Sequence, residues 1–169
     1  MHVVAFNGSP RKNGNTARLV RHCLDTLESE GISTEMVQVG GTNIRGCCSC
    51  LSCRKKAVEV CAITSDPFNE WIEKMKNAEG IILASPVYMF GTTPEMKALI
   101  DRASFIARGR VRRGEQGSMF YRKVGGAISA VRRAGAIQAL QTMISMFAVT
   151  QMVVPMSNYW TFGMGEAPG

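Results

Sequence analysis

The stretch His2-Val3-Val4-Ala5-Phe6-Asn7-Gly8-Ser9-Pro10-Arg11-Lys12-Asn13-Gly14-Asn15-Thr16 decides the fold. Residues 2–7 form a short apolar run that ends in the turn signal Asn7-Gly8-Ser9-Pro10, the pattern of a buried strand. From Thr16 the period changes. Val20, Cys23, Leu24 and Leu27 fall on one helical face, with Leu19 beside them, and predict a helix over 16–30. The same alternation recurs downstream. Strands are predicted at 34–39, 80–84, 123–130 and 151–156. Helices are predicted at 67–77 (Phe68, Trp71, Ile72 and Met75 inward), 94–106 (Met96, Leu99, Ile100 and Ala103 inward) and 135–148 (Ile137, Leu140, Ile144 and Phe147 in register). Pro94 suits a first helical turn. The basic stretch 108–122 reads as an exposed loop. Continuous apolar strands separated by amphipathic helices imply an α/β fold, a parallel sheet covered on both faces. Five strands predict a doubly wound domain of three layers, with its ligand outside the carboxyl ends of the strands at the switch point. No helical pattern follows the fifth predicted strand. The final covering helix is therefore missing from the pattern, and is expected from a partner subunit or from sequence beyond this stretch.

Composition narrows the function. The 169 residues fit one domain, 46% hydrophobic and 20% charged, as in ordinary soluble proteins. No apolar run reaches the length of a membrane span, and residues 1–30 lack the pattern of a secretory signal, so a cytoplasmic protein is expected. In a reducing compartment, clustered cysteines are metal ligands or redox groups rather than disulfides. Of six cysteines, five lie within 47–61, while Cys23 sits on the apolar face of the first helix as core. The net charge of +7 is compatible with an anionic ligand or with a solvated basic surface.

The 8–16 loop offers hydroxyls at Ser9 and Thr16, an amide at Asn15, cations at Arg11 and Lys12, and the N–H groups of a helix start. Together these can bind a phosphate. The alternative is a tight turn with a capped helix. Five residues separate Gly8 from Gly14 and Asn15 stands where a P-loop lysine would be, so the loop is not a P-loop and no lysine reaches a triphosphate in that way. The loop is not G-x-G-x-x-G, which argues against a dinucleotide pyrophosphate. A phosphate monoester fits best. The strand followed by Gly-Ser-Pro-Arg-x-x-Gly-Asn-Thr resembles the flavodoxin-like NAD(P)H-dependent FMN reductases. Ser85-Pro86-Val87-Tyr88-Met89-Phe90-Gly91 resembles their flavin-ring loop. That resemblance implies a flavodoxin-like sheet in which Ser9, Arg11, Asn15 and Thr16 hold the FMN phosphate while Lys12, Asn13 and Gly14 shape the loop. It also implies that Pro86, Val87, Tyr88 and Met89 line the ring and that Phe90 adds aromatic contact. A third loop after the fourth strand would contribute Ser129, Ala130 and Gly135.

Cys47-x2-Cys50-x2-Cys53-x7-Cys61 is the second signal. Three cysteines at successive x2 spacing resemble the ligand run of cubane iron–sulfur proteins. Structural zinc and cluster-free thiols stay open as alternatives, and Cys48 is an extra thiol that also permits a Cys48-x-Cys50 register. Arg45, Arg54, Lys55 and Lys56 flank the cysteines and would lower thiol pKa values. Together with the flavin loops, the run resembles the iron-sulfur flavoproteins. That resemblance implies a 4Fe-4S cluster on Cys47, Cys50, Cys53 and Cys61, near FMN in an oligomer. The whole of 1–169 would then be one FMN-binding domain with a cysteine-rich insertion at 47–61.

Three functions are weighed. The first is an FMN-dependent oxidoreductase that passes electrons between FMN and the cluster, to a small-molecule or protein redox partner. The second is a cluster-free NAD(P)H-dependent FMN or quinone reductase, in which Arg108, Arg110, Arg112 and Arg113 bind the nucleotide phosphate or form a mobile basic loop. The third, a nucleic-acid-binding module, rests on basic charge alone and has no recognition motif. No catalytic acid, base or nucleophile is assigned: His2 lies in a strand and His22 on a solvated helix face. The missing covering helix, the Met-rich tract after Gly135 and the apolar Tyr159-Trp160-Thr161-Phe162 point to a homodimer or homotetramer.

Overall fold

In the computed structural model the described residues are 1–157, 160 and 162–165. Strand β1 (His2–Asn7) lies between β2 (Ser33–Gln38) and β3 (Gly80–Pro86). With β4 (Val124–Val131) and β5 (Gly163–Met164) the order is β2-β1-β3-β4-β5, every pairing parallel. The chain leaves β1 toward one sheet edge and then returns past it to the other. The switch point therefore falls between β1 and β3, where Phe6 pairs with Leu83 and Asn7 with Ala84.

Alternation along the strands divides the core in two. Val4, Phe6, Ile81 and Leu83 face α3 (Phe68–Asn77), α4 (Pro94–Ala107) and α6 (Ala136–Val149), whereas Ala5, Ile82 and Ala84 face α1 (Asn15–Ser29). The face of α3 is as predicted, with Phe68, Trp71, Ile72 and Met75 all buried. Each buried side chain of this size contributes about 1.5–3 kcal/mol. Lys123 ties the start of β4 to the end of α3, its Nζ donating to the carbonyls of Lys76 (2.9 Å) and Ala78. These are the carbonyls that a helix C-terminus leaves unpaired.

The structure differs from the sequence expectations in four places. Residues 151–156 make only an isolated bridge, Val153 to Val124, and β5 lies further on at Gly163–Met164. Pro155 lacks the N–H that would continue the ladder. The basic stretch is not a simple exposed loop. It contains α5 (Gly109–Arg112), and Ser118, Met119 and Phe120 are buried. The inward face of α6 runs through Ala136, Ala139, Leu140, Met143, Met146 and Phe147, leaving Ile137 exposed. Arg102, between the predicted core positions of α4, is fully buried. Among the described residues no helix follows β5, and α1 is the helix of the smaller core cluster. Of the aromatic 159–162 segment, Tyr159 and Thr161 lie outside the described residues. No described helix is long and apolar enough to cross a membrane.

Candidate functional site

The β1–α1 loop is held from both sides. Asn7 Oδ1 accepts the Ser9 N–H (3.1 Å), and Asn7 Nδ2 donates to Gln38 Oε1 (2.9 Å). Gln38 Nε2 in turn donates to the carbonyls of Ser9 (2.6 Å) and Gly40 (2.7 Å). The loop after β2 thus packs directly on the loop after β1. A Cβ at Gly40 would sit 2.3 Å from Gly8 O and from Ser9 C, so only glycine permits the approach. Within the loop Ser9 Oγ accepts the Arg11 N–H (3.2 Å) and Arg11 O accepts the Gly14 N–H (3.1 Å). Gly14 caps α1 with no side-chain bond, and the N-terminus of this 15-residue helix lines a large cavity at Gly14, Asn15 and Thr16, where its N–H groups suit an anion.

The β3 loop is fastened by Ser85 and Thr93. Thr93 N–H donates to Ser85 Oγ (3.0 Å), and Thr93 Oγ1 donates to Gly8 O (2.8 Å). Between them, Tyr88 and Gly91 exchange both backbone hydrogen bonds at 2.9 Å around a two-residue turn. Met89 (φ 43°) and Phe90 (φ 61°) occupy that turn with the left-handed signature of a type I′ hairpin. Non-glycine residues there carry strain, as functional loops often do. Val87 N–H joins the loop to Ala130 O (3.0 Å), and Gly135 (φ 93°) leaves room for Val87 and Phe90 beside it.

The three loops enclose one cavity of about 470 Å³, within the range of small-molecule sites. Ser9, Arg11, Gly14, Asn15 and Thr16 line one wall; Pro86, Val87 and Tyr88 a second; Ala130, Val131, Arg132 and Gly165 a third. The predicted Lys12, Asn13, Met89, Phe90, Ser129 and Gly135 are not in the lining. Arg21 takes the Lys12 carbonyl (3.2 Å) and Asn13 Oδ1 (2.8 Å), while Met89 is fully out in solvent and Phe90 half exposed. Ser129 is buried behind the wall, its Oγ without a partner among the described residues. Val131 and Arg132 fall within the third loop expected after the fourth strand, and Gly165 is a lining residue the sequence did not single out. A polar end rich in donors and an apolar, aromatic side fit a phosphate ester carrying a planar ring.

The cysteines gather elsewhere. Cys47, Cys48, Cys50, Cys53 and Cys61 all line a second, small cavity, closed by Arg102, Phe105 and Ile106 of α4. Ser49 (φ 53°) and Leu51 (φ 57°) alternate left-handed backbone between the thiols, the form that turns N–H groups toward an anionic centre. Leu51 leads into the one-turn α2 (Ser52–Lys55). The Ser52 N–H holds the Cys50 thiol below its ordinary range, whereas burial pushes Cys53 up, assisted by Cys61 and Cys50. Asn69 clamps the backbone of Cys61 at both ends, accepting its N–H (2.8 Å) and donating to its carbonyl (3.0 Å). Among the described residues no three of these groups converge on a single metal ion. A cubane cluster makes a different demand, because each thiolate binds its own iron. The donor set fits such a group.

The arginines near this cavity are engaged with the protein. Arg110 forks onto Glu59 (Nε–Oε1 2.5 Å, Nη2–Oε2 3.1 Å) and holds that carboxyl down at about 2. Arg113 pairs with Glu115 (2.7 Å), and Arg112 lies over the Phe105 ring (4.6 Å). None of them, nor Arg108, lines the large cavity.

Residues 1–167 match the family described as NADPH-dependent FMN reductase. The chain belongs to that family, in its iron-sulfur flavoprotein branch. It is 36% identical to an iron-sulfur flavoprotein of Methanocaldococcus jannaschii, across all of this chain and 86% of that one. It is 30% identical to an iron-sulfur flavoprotein of Methanosarcina thermophila, across 94% and 78%. Among solved structures, an NADH:FMN oxidoreductase in apo form superposes with a TM-score of 0.65 at 18% identity, covering 96% of this chain and 75% of that one. An archaeal flavodoxin superposes at 0.62 with 12% identity, covering 98% and 85%. This FMN reductase family member is a flavin-dependent oxidoreductase with a flavodoxin-like fold. In it the large cavity lies at the carboxyl ends of β1, β3 and β4, where the doubly wound topology puts a ligand.

Proposed function

We propose that this chain is an electron-transfer flavoenzyme, a single domain with FMN in the large cavity and a 4Fe-4S cluster on Cys47, Cys50, Cys53 and Cys61. NAD(P)H is its candidate donor, a small molecule or protein its partner, and a homodimer or homotetramer its working form. Bound FMN supplies hydride and single-electron chemistry, and a cluster supplies single-electron steps. The protein supplies position. Ser9, Thr16, Arg11 and the first N–H groups of α1 grip the phosphate. Val87 and Tyr88 lie against the ring from the β3 loop, and Ala130 and Val131 close the other side. Cys50 gives up its thiol proton more readily than an ordinary cysteine, because the Ser52 N–H stabilises its sulfur anion. The two cavities share no lining residue. They are linked by α4, whose N-cap Thr93 fastens the flavin loop and whose Arg102, Phe105 and Ile106 wall the cysteines.

The observation that carries this reading is that all four motif cysteines line one cavity, apart from the large cavity of the β1, β3 and β4 loops. The test is iron, sulfide, zinc and FMN per chain after anaerobic purification, with the visible spectrum. Four iron and four sulfide per FMN, with a broad absorption that bleaches on reduction, are expected. FMN without iron after anaerobic reconstitution would make the chain a cluster-free NAD(P)H-dependent FMN or quinone reductase. No FMN uptake at all would overturn both.

A further inference from the structure

We propose that Arg102 is the charged positioning residue of the cysteine centre. Its guanidinium fastens both ends of the 47–61 segment and serves as the counter-charge in the wall of the thiol cavity. The proposal rests on the iron–sulfur reading above and assigns that site's control to one side chain outside the cysteine motif. Arg102 sits at 1% exposure on α4 and pairs with the equally buried Asp66 (Nη1–Oδ2 2.6 Å). The same guanidinium donates to Arg45 O (3.0 Å), two residues before Cys47, and to Ile63 O (3.2 Å), two residues after Cys61. Asp66 completes the clamp by accepting the N–H groups of Arg45 (3.0 Å) and Phe68 (3.2 Å).

A clamp alone would leave nothing over. Yet Arg102 Nε–H is buried without a partner among the described residues, and Arg102 lines the cavity that holds the cysteines. A buried unpaired N–H is costly, and an anion against it removes the cost. A thiolate-ligated cluster is such an anion, more negative by one electron when reduced. Of the Arg102–Asp66 pair only Arg102 lines the cavity, so the pair turns its positive end to the thiols and favours the reduced state, and the clamp keeps the thiols gathered.

The test uses full-length wild type, R102M and R102K, reconstituted anaerobically with ferrous iron and sulfide. Three quantities are read: FMN per chain, the rate at which a chelator strips iron, and the cluster's midpoint potential. R102M is expected to keep its FMN, to lose iron at least fivefold faster and to have a more negative potential. R102K keeps the charge but cannot span both carbonyls, so it loses iron faster while its potential stays nearer wild type. A merely structural arginine would not move the potential. If R102M, or R102K should R102M not fold, matches wild type in both stripping rate and potential, the proposal is overturned while the iron–sulfur reading stands. A wild type that takes up neither iron nor sulfide overturns that reading, and this proposal with it.

Discussion

Ser9 receives the Arg11 N–H on its hydroxyl and still borders the large cavity. Removing that oxygen costs a charge-assisted bond to a bound phosphate, about 1.5–3 kcal/mol. S9A is expected to weaken FMN binding roughly ten- to hundredfold at 25 °C; a flavin fluorescence titration checks it. Asp66 illustrates the opposite kind of residue. Burial pushes its carboxyl up, but Arg102 and the N–H groups of Arg45 and Phe68 outweigh burial and hold it below the usual range. The stabilisation from this depressed group is complete above the ordinary carboxylate value of about 4 and is lost as pH falls below it. D66N leaves Arg102 buried and unpaired, a change that costs about 3–5 kcal/mol. Thermal unfolding should show Tm lowered by roughly 10 °C at pH 7, with a gap to wild type that narrows toward pH 3. Ser9 was legible because its motif is local. Arg102 and Asp66 were not: a polar residue between helical core positions reads as surface until its partner, 36 residues away, is brought against it.

At the level of elements, the hairpin at the tip of the β3 loop holds two non-glycine residues in left-handed backbone. Replacing Met89-Phe90 with Asn-Gly relieves about 1–2 kcal/mol per residue. The double variant is expected to melt several degrees higher, as calorimetry would show. The loop after β2 makes the opposite prediction. G40A puts a methyl into the backbone of Gly8 and Ser9, so the phosphate loop must shift. Overpacking of this kind costs about 1–3 kcal/mol, and flavin retention on gel filtration should fall with Tm. The long apolar helices and the first four strands were readable from period alone. The fifth strand was misplaced because 151–156 has strand composition while Pro155 ends its pairing, and the two-residue β5 has too little sequence to show a pattern.

Across the whole molecule, Val153, Met156, Trp160 and Met164 follow α6 in the chain and are all exposed, and a cavity of about 110 Å³ opens among Leu140, Ile144, Met156 and Trp160. Exposed apolar side chains of this kind are where self-association is expected. Sedimentation is expected to give twice or four times the chain mass, and V153K with M156K should lower it; a wild-type monomer would remove the expectation. The fold class was legible in the sequence, and so was the grouping of the 8–16 and 85–88 loops in one cavity and of the cysteines in another, because each segment is contiguous and its backbone needs are local. Tertiary structure alone decided that Gly165 joins the wall of the large cavity and that Lys12 and Asn13 stay out of its lining. It also decided that one buried arginine ties the two ends of the cysteine segment. Such contacts depend on the packing of elements distant in the chain, and no local pattern encodes them.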